Sequence, residues 1–404
     1  MKILVWATTF GADLWSLTRY LAARDDVDVR VVLPGKRGFL AEGVARLLPV
    51  AAPLIQRRPW HEILAVGPGL GASKHGAISA TRFRPDVTIL DNRVPLRAPS
   101  PKGFVLWHGF GWKGPNDRQE FRVLHGQLRA CFGEPLAPNR DFRWSCFGPW
   151  DLEHRTEVSG FAPENCRMVG ACSHDDLRVP LEKVRAQPYY PFDLRKPTVL
   201  IAPTWHYGEV FAHWGKDAEI FERLLTHLGR RGANVILRLH DSFRFEPPYR
   251  AFLDGLARRH AHVLLKYKDQ HPDNCLDMQV SDALITNYSS IANLYYATGR
   301  PTVHVYPVRD ADEAFTWRTY TLLGVRKQQV QNARFIWKLP PEDHGGLLAR
   351  DVAQLFAAVD QALDDPSCCR ATTQAFLDRH MLGADGRNCE RTLGALRELV
   401  SASP

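Results

Sequence analysis

Short apolar runs alternating with amphipathic stretches occur twice along the 404-residue chain, and this alternation narrows most what it can fold into. Lys2-Ile3-Leu4-Val5-Trp6-Ala7 reads as a first strand, Gly11 leads into a helix-like stretch from Leu14 to Ala23, and Val29 to Leu33 is a second strand. Strands covered on both faces read as continuous apolar runs, so the pattern implies a parallel β-α-β unit. Arg84 to Asp91 and Gly103 to His108 add two more strand signals, each ending in polar or glycine-containing residues. Around Val179 to Lys196 the periodicity dissolves among Pro180, Pro188, Pro191 and Pro197, and an interdomain linker is expected there. The alternation resumes with strand Thr198–Ala202, helix Ala218–Gly229 and strands Val235–Leu239, Ala283–Thr286 and Thr302–Val305, before helical patterns over Ala349–Leu363 and Thr372–Val400. A chain this long exceeds one ordinary core. The expected fold is α/β, with two Rossmann-like doubly wound domains facing a cleft: an N-terminal acceptor-side domain over residues 1–180 and a C-terminal nucleotide-side domain over 190–370. The helices of 371–404 are expected to pack back on the first domain.

Composition removes several classes. Apolar residues at 45% and charged residues at 24% describe a folded globular chain rather than a disordered one. No window approaches the roughly 18–20 apolar residues that cross a bilayer, and the opening residues read as a strand rather than a signal peptide, so a cytoplasmic location is expected. Eight scattered cysteines without a CxxC pair read as reduced thiols. The net charge of +8 suits phosphorylated ligands or an anionic lipid surface. The absence of a basic run, a zinc-finger spacing or an RNP pattern argues against nucleic acid. Arg57-Arg58-Pro59-Trp60-His61 fits a membrane-surface or acceptor patch, such as peripheral contact with the inner face of a membrane, but an ordinary amphipathic edge accounts for it better.

Parallel sheets take ligands beyond the carboxyl ends of their strands, which singles out His108, Thr204, His240 and Ser289. In Trp107-His108-Gly109-Phe110-Gly111-Trp112-Lys113, a histidine ends a buried strand, glycines let backbone approach a ligand, and Lys113 is placed to pair with phosphate. Leu237-Arg238-Leu239-His240-Asp241 repeats the strand-end histidine. Ser281-Asp282-Ala283-Leu284-Ile285-Thr286-Asn287-Tyr288-Ser289-Ser290 runs from a strand into a helix-like stretch, where Ser289 or Ser290 would cap the helix and its free amides would receive phosphate. Each piece alone also fits a purely structural role. Gly67-Pro68-Gly69-Leu70-Gly71-Ala72, with Asp91 about 20 residues on, matches a dinucleotide fingerprint, but it lies outside the first β-α-β unit and Pro68 stiffens the turn. Asp26-Val27-Asp28 and Asp310-Ala311-Asp312 read as solvated turns rather than metal sites, and neither a phosphate-binding P-loop nor a nucleophile elbow occurs. No metal or cofactor is therefore expected.

Taken together with Ala202-Pro203-Thr204-Trp205, these segments resemble the CDP-glycerol glycerophosphotransferase family, the teichoic-acid and capsule polymerases of GT-B type. The likeness covers roughly residues 85–310 and includes Gly299-Arg300-Pro301 and a fainter echo at Val169-Gly170 with Asp175-Asp176-Leu177. It implies a transferase that uses a CDP- or CMP-linked donor on a polysaccharide or lipid-linked acceptor and releases CMP. By the same resemblance His108 is the base that activates the acceptor hydroxyl and His240 contacts the donor diphosphate. Thr204, Asn287, Ser289, Ser290, Lys113 and Arg238 would then line the phosphate and nucleotide site. The sequence departs from the family where Phe110-Gly111 replace threonine-proline, Asp241 replaces proline, Asn287 replaces aspartate, and Ala292-Asn293 lacks an acidic residue. The alternatives are a CMP-sugar glycosyltransferase of sialic acid or Kdo type on the same plan, and a non-catalytic nucleotide-sugar binding protein.

Overall fold

The structure is a computed structural model. It describes residues 1–6, 11–32, 83–91, 94–95, 98–107, 109–110, 118, 121–204, 209–240, 245–268, 270–271, 274–310, 312–320, 326–332, 338–383 and 385–402. They form two compact units: residues 1–109, 116–176 and 380–404 in the first, and residues 110–115 and 177–379 in the second.

Unit 1 is built on a parallel sheet of β1 (Lys2–Trp6), β2 (Asp28–Val32), β3 (Val87–Leu90), β4 (Lys102–Val105), β5 (Phe142–Cys146) and β6 (Cys166–Met168), in the order β2-β1-β3-β4-β5-β6. Continuous burial of β3 and of Ile3 to Trp6 accounts for their unbroken apolar sequences. Helix α1 (Ala12–Ala22) joins β1 to β2, and α2 (Arg122–Phe132) buries Leu124, Leu128 and Phe132 at one-turn spacing. An aromatic core of Trp144, Phe142, Phe161 and Phe121 backs the sheet.

The last helix of the unit comes from the far end of the sequence. Asp175, in α3 (Cys172–Leu177), accepts hydrogen bonds from the backbone amides of Asn388 (3.0 Å) and Cys389 (2.8 Å). The carboxylate thus satisfies amides at the N-terminus of the helix Asn388–Ser401, where negative charge also complements the helix dipole. This helix buries Leu393, Leu396 and Leu399 and packs against α1, β4 and β5.

Unit 2 carries a second parallel sheet of β7 (Thr198–Ile201), β8 (Asn234–Leu239), β9 (Val263–Tyr267), β10 (Ala283–Thr286), β11 (Thr302–Val305) and β14 (Leu347–Ala349), in the order β14-β11-β10-β7-β8-β9. An antiparallel hairpin, β12 (Ala314–Tyr320) and β13 (Arg326–Asn332), stands apart from it. Helix α4 (Asp217–Arg230) shows why such crossovers form. Acidic Asp217 and Glu219 occupy its first turn, Ile220, Phe221, Leu224, Leu225 and Leu228 repeat on one face, and Gly232 at φ +70° follows its end. Each of those buried side chains contributes about 1.5–3 kcal/mol. Further helices of the unit include α5 (Pro247–Arg259), α6 (Cys275–Val280), α7 (Ile291–Tyr295), α8 (Val352–Asp364) and α9 (Arg370–His380), and the helix at Asn388–Ser401 is labelled α10.

The structure adds detail at two places in the sequence pattern. The helical pattern over Thr372–Val400 divides into two helices where Gly383 and Gly386 adopt φ of +89° and +73°. The proline-rich stretch is docked on unit 2. Tyr190 donates to Asp277 at 2.5 Å, and Lys183 pairs with Asp282 at 2.6 Å, both within unit 2. Among the described residues no helix is long and apolar enough to cross a membrane. All eight cysteines are free thiols.

Gly170→Ala tests the attachment of α10. Gly170 has φ +78°, and a Cβ there would lie 1.8 Å from Asn388 Oδ1 and 2.7 Å from the Leu382 carbonyl. Gly232 has a similar φ of +70° with nothing within 4 Å of its Cβ position. Urea denaturation should show a loss of ~3 kcal/mol or more for Gly170→Ala against ~1–2 kcal/mol for Gly232→Ala, since only the first adds a clash to the left-handed backbone cost.

Candidate functional site

Counted from its own first strand, the sheet of unit 2 reads β9-β8-β7-β10-β11-β14 as 3-2-1-4-5-6. The connections therefore leave β7 and β10 in opposite directions, and the crevice at their carboxyl ends is where an open α/β sheet takes its ligand. Thr204 and Asn287 meet there. The last rungs between the strands are Ala202 N–H to the Ile285 carbonyl at 2.9 Å and Thr286 Oγ1 to the Ala202 carbonyl at 2.8 Å. Beyond them the Asn287 side chain substitutes for backbone: its Oδ1 accepts from Thr204 N–H at 2.8 Å, and its Nδ2 donates to the Thr204 carbonyl at 3.2 Å. Asn287 is 0% and Thr204 1% exposed, so both bonds are shielded from water. Thr204 Oγ1 is buried and has no hydrogen-bond partner among the described residues.

Ser289 and Ser290 follow, half-buried, after the fully buried Tyr288. Ser290 takes the N-cap position of α7 without a side-chain bond to the helix amides. The first turn closes instead through Ala292 N–H to the Ser289 carbonyl (3.1 Å) and Asn293 N–H to the Ser290 carbonyl (3.2 Å).

His240 directly follows β8 and is half-buried; Asp241 to Arg244 lie outside the described residues. Arg238, two residues earlier, is turned into the fold. Its Nη1 donates to Asp277 Oδ2 at 2.7 Å and its Nη2 to the His271 carbonyl. Asp277 also accepts from Lys266 Nζ at 2.6 Å. Burial pushes the Asp277 carboxyl up, but Lys266 and Arg238 together hold it below its ordinary value, so an anionic carboxylate sits between two cations. The guanidinium of Arg238 is thus committed to Asp277 and His271.

A residue that the sequence patterns did not single out organises the approach to α4. Asp217 accepts from the amides of Val210 (3.0 Å) and Phe211 (3.1 Å) and from the Tyr249 hydroxyl (2.6 Å). It fixes the chain just after residues 205–208. Burial outweighs these bonds and raises its carboxyl to about 6. Its only sequence signal was an acid in the first turn of a helix. Asp13, in the first turn of α1 in unit 1, is comparable: Ser173 donates to it through both amide and hydroxyl at 2.8 Å, and burial raises its carboxyl to about 6.

In unit 1 the residue before the first histidine is anchored. Trp107 N–H donates to Ser145 Oγ at 3.0 Å, while its indole lies 5.3 Å from Trp144 and meets Phe121 edge-on at 5.0 Å. At Gly109 a Cβ would come within 2.8 Å of Trp107 Nε1, so glycine there makes room for the indole. His108 and Lys113 themselves lie outside the described residues, as do the Gly67–Ala72 fingerprint and the Arg57–His61 patch.

Comparisons with known proteins agree with the resemblance drawn from sequence. Residues 177–314 match the family described as CDP-glycerol:poly(glycerophosphate) glycerophosphotransferase. The chain is 23% identical over 354 residues to the teichoic acid ribitol-phosphate polymerase TarK of Staphylococcus aureus, covering 84% of this chain and 59% of that protein. It is 24% identical over 197 residues to the polymerase TarL of the same organism, covering 48% and 30%. The chain thus spans about three-fifths or less of the length of these relatives. Among solved structures, the wall teichoic acid polymerase TagF superposes with a TM-score of 0.64 at 13% identity, covering 99% of this chain and 88% of that one. An S. aureus MnaA–UDP structure gives a TM-score of 0.51 at 10% identity, covering 100% and 97%. The fold is therefore GT-B-like, built from two Rossmann-like units.

Two measurements test this geometry. Asn287→Asp keeps the acceptor but loses the donor, setting a carboxylate against the Thr204 carbonyl; chemical denaturation should show a loss of ~1–3 kcal/mol. For Asp217 the folded carboxyl lies above its ordinary value, so its stabilising contribution is complete below about pH 3.8 and is lost as pH rises through about 6. Asp217→Asn should flatten that part of the stability profile between about pH 3.8 and 6, with the slope from Asp13 remaining.

Proposed function

We propose that this chain is a transferase that takes a CDP- or CMP-activated donor, glycerol phosphate or a related polyol phosphate, and builds a cell-surface polysaccharide or teichoic-acid-like polymer with release of CMP. The observation that carries this reading is the family match over residues 177–314, which spans the strand ends that converge on the switch point between β7 and β10. A crevice at the carboxyl ends of parallel strands, with a buried hydroxyl at Thr204 and the Ser289-Ser290 turn beside it, suits a nucleotide phosphate.

In the proposed reaction His108 removes the proton from an acceptor hydroxyl. The freed oxygen attacks the phosphorus that carries the polyol, forming a new P–O bond as the bond to CMP breaks. The departing CMP phosphate takes up the developing negative charge. His240 hydrogen-bonds to that charge, as do Ser289, Ser290 and the nearby amides. Lys113 pairs with phosphate. Asn287 contributes by fixing the Thr204 turn, and Arg238 by stabilising the end of β8 through Asp277. The reading needs no cofactor. It places the protein in the cytoplasm with peripheral contact to the inner membrane face, where a lipid-linked acceptor is presented.

CMP release from CDP-glycerol, CDP-ribitol and CMP-sugars, measured with a polymer primer, tests the reading. His108→Ala should lower turnover ~10²-fold or more with little change in CMP affinity, the size expected for a lost general base. Release from CMP-sugars alone moves the assignment to a glycosyltransferase. Cytidine nucleotide binding without release from any donor identifies a binding protein.

A further inference from the structure

A buried ion cluster lies beside the strand end that leads to His240. The register of β8 and β9 sets Arg238 directly opposite Lys266, on neighbouring strands whose backbones run about 4.8 Å apart. Both side chains are largely withdrawn from water. Two cations side by side in a low dielectric repel, so a fold that places them there needs an anion between them. Asp277 of α6, 1% exposed, supplies it. Its Oδ2 accepts from Arg238 Nη1 at 2.7 Å, and its Oδ1 accepts from Lys266 Nζ at 2.6 Å and from the Tyr190 hydroxyl at 2.5 Å. Lys266 Nζ also stands over the Tyr190 ring, 4.6 Å from its centre.

Arg238 has a further contact, and this one reaches the backbone before His240. Its Nη2 donates to the His271 carbonyl. His271 closes the turn that follows β9, where the amides of Gln270 and His271 both donate to the Tyr267 carbonyl, at 3.0 and 2.8 Å. In the same turn Lys268 N–H donates to the Leu239 carbonyl at 3.0 Å. That carbonyl and the His240 amide belong to one planar peptide unit. Hydrogen bonds and chain connectivity thus run from Asp277 through Arg238 and the turn after β9 to the peptide that carries His240.

We infer that Arg238 and Asp277 are positioning residues for His240: the carboxylate orients the guanidinium, the guanidinium clamps the turn after β9, and the turn fixes the peptide from which His240 meets the donor diphosphate. The inference rests on the donor role proposed for His240 and adds the means by which that histidine is held. Neither residue touches donor or acceptor. The guanidinium is separable from the rest of the cluster, because without it Asp277 keeps Lys266 and Tyr190 as partners and no charge is left unpaired in the interior.

Binding of CDP to the full chain, measured by calorimetry, tests this with Arg238→Met made in the natural protein and again in His240→Ala. The methionine keeps an unbranched stem and removes the guanidinium. It should weaken CDP about tenfold in the natural protein and less than about twofold in His240→Ala, because a residue that acts through His240 has nothing left to place. The double variant Asp277→Asn/Lys266→Met, which removes the acid together with its second cation, should show the same dependence on His240. Tyr190→Phe leaves both Arg238 bonds intact and should stay within about twofold of the natural protein. Hydrogen exchange of the peptide spanning residues 267–271 should quicken in Arg238→Met without any ligand present. Unchanged CDP affinity in Arg238→Met overturns the inference, and so does an equal loss in the two backgrounds, which would make Arg238 independent of His240. Natural protein that binds no CDP overturns the nucleotide reading instead, and the diphosphate role given to His240 falls with it.

Discussion

The reciprocal amide bonds between Asn287 and Thr204 are the constraint on which the rest of unit 2's candidate site depends. Strands β7 and β10 are neighbours whose chains depart in opposite directions, so beyond their last rung nothing in the sheet keeps the two exits together. A primary amide is suited to the task, because it offers one acceptor and two donors in a plane and can replace a missing peptide unit. It also carries no charge, which matters at a position that water does not reach. Thr204, Ser289 and Ser290 inherit their placement from this pair.

Much of the fold was legible because a parallel strand covered on both faces leaves an unbroken apolar run. Ala283–Thr286 and Thr302–Val305 emerge with the same boundaries in sequence and structure, and β7, β8 and α4 agree to within a residue or two. The strands not read have polar interruptions that only tertiary contacts explain. β5 carries Arg143 and Ser145, the second of which receives the Trp107 amide. β9 carries Lys266, whose ammonium reaches Asp277. β6 and β14 span three residues each, too few for a periodicity to show.

The candidate site divides in the same way. The positions of His240, Thr204, Ser289 and Ser290 followed from the rule that function gathers at strand ends. What Asn287 and Arg238 do there could not be read locally, because their partners lie 83 and 39 residues away. Both looked like ligand residues by neighbourhood, and both face inward to the protein's own backbone or carboxylate. Gly109 shows the converse case. Its glycine was read as freedom for a ligand to approach, and the structure adds that the indole of Trp107 fills the space a side chain would need.

Unit 1 closes with a helix contributed by residues 388–401, held at its start by Asp175 and packed beside α1. Unit 2, by contrast, draws its sheet from one uninterrupted stretch between residues 198 and 349. As the polypeptide emerges from the ribosome, the first sheet must wait with an uncovered flank while the second completes, since its closing helix is translated after the whole of the second sheet. Emergence of α10, rather than of the first sheet, is therefore the event that finishes unit 1, and nascent chains stalled short of α10 would present that flank to chaperones.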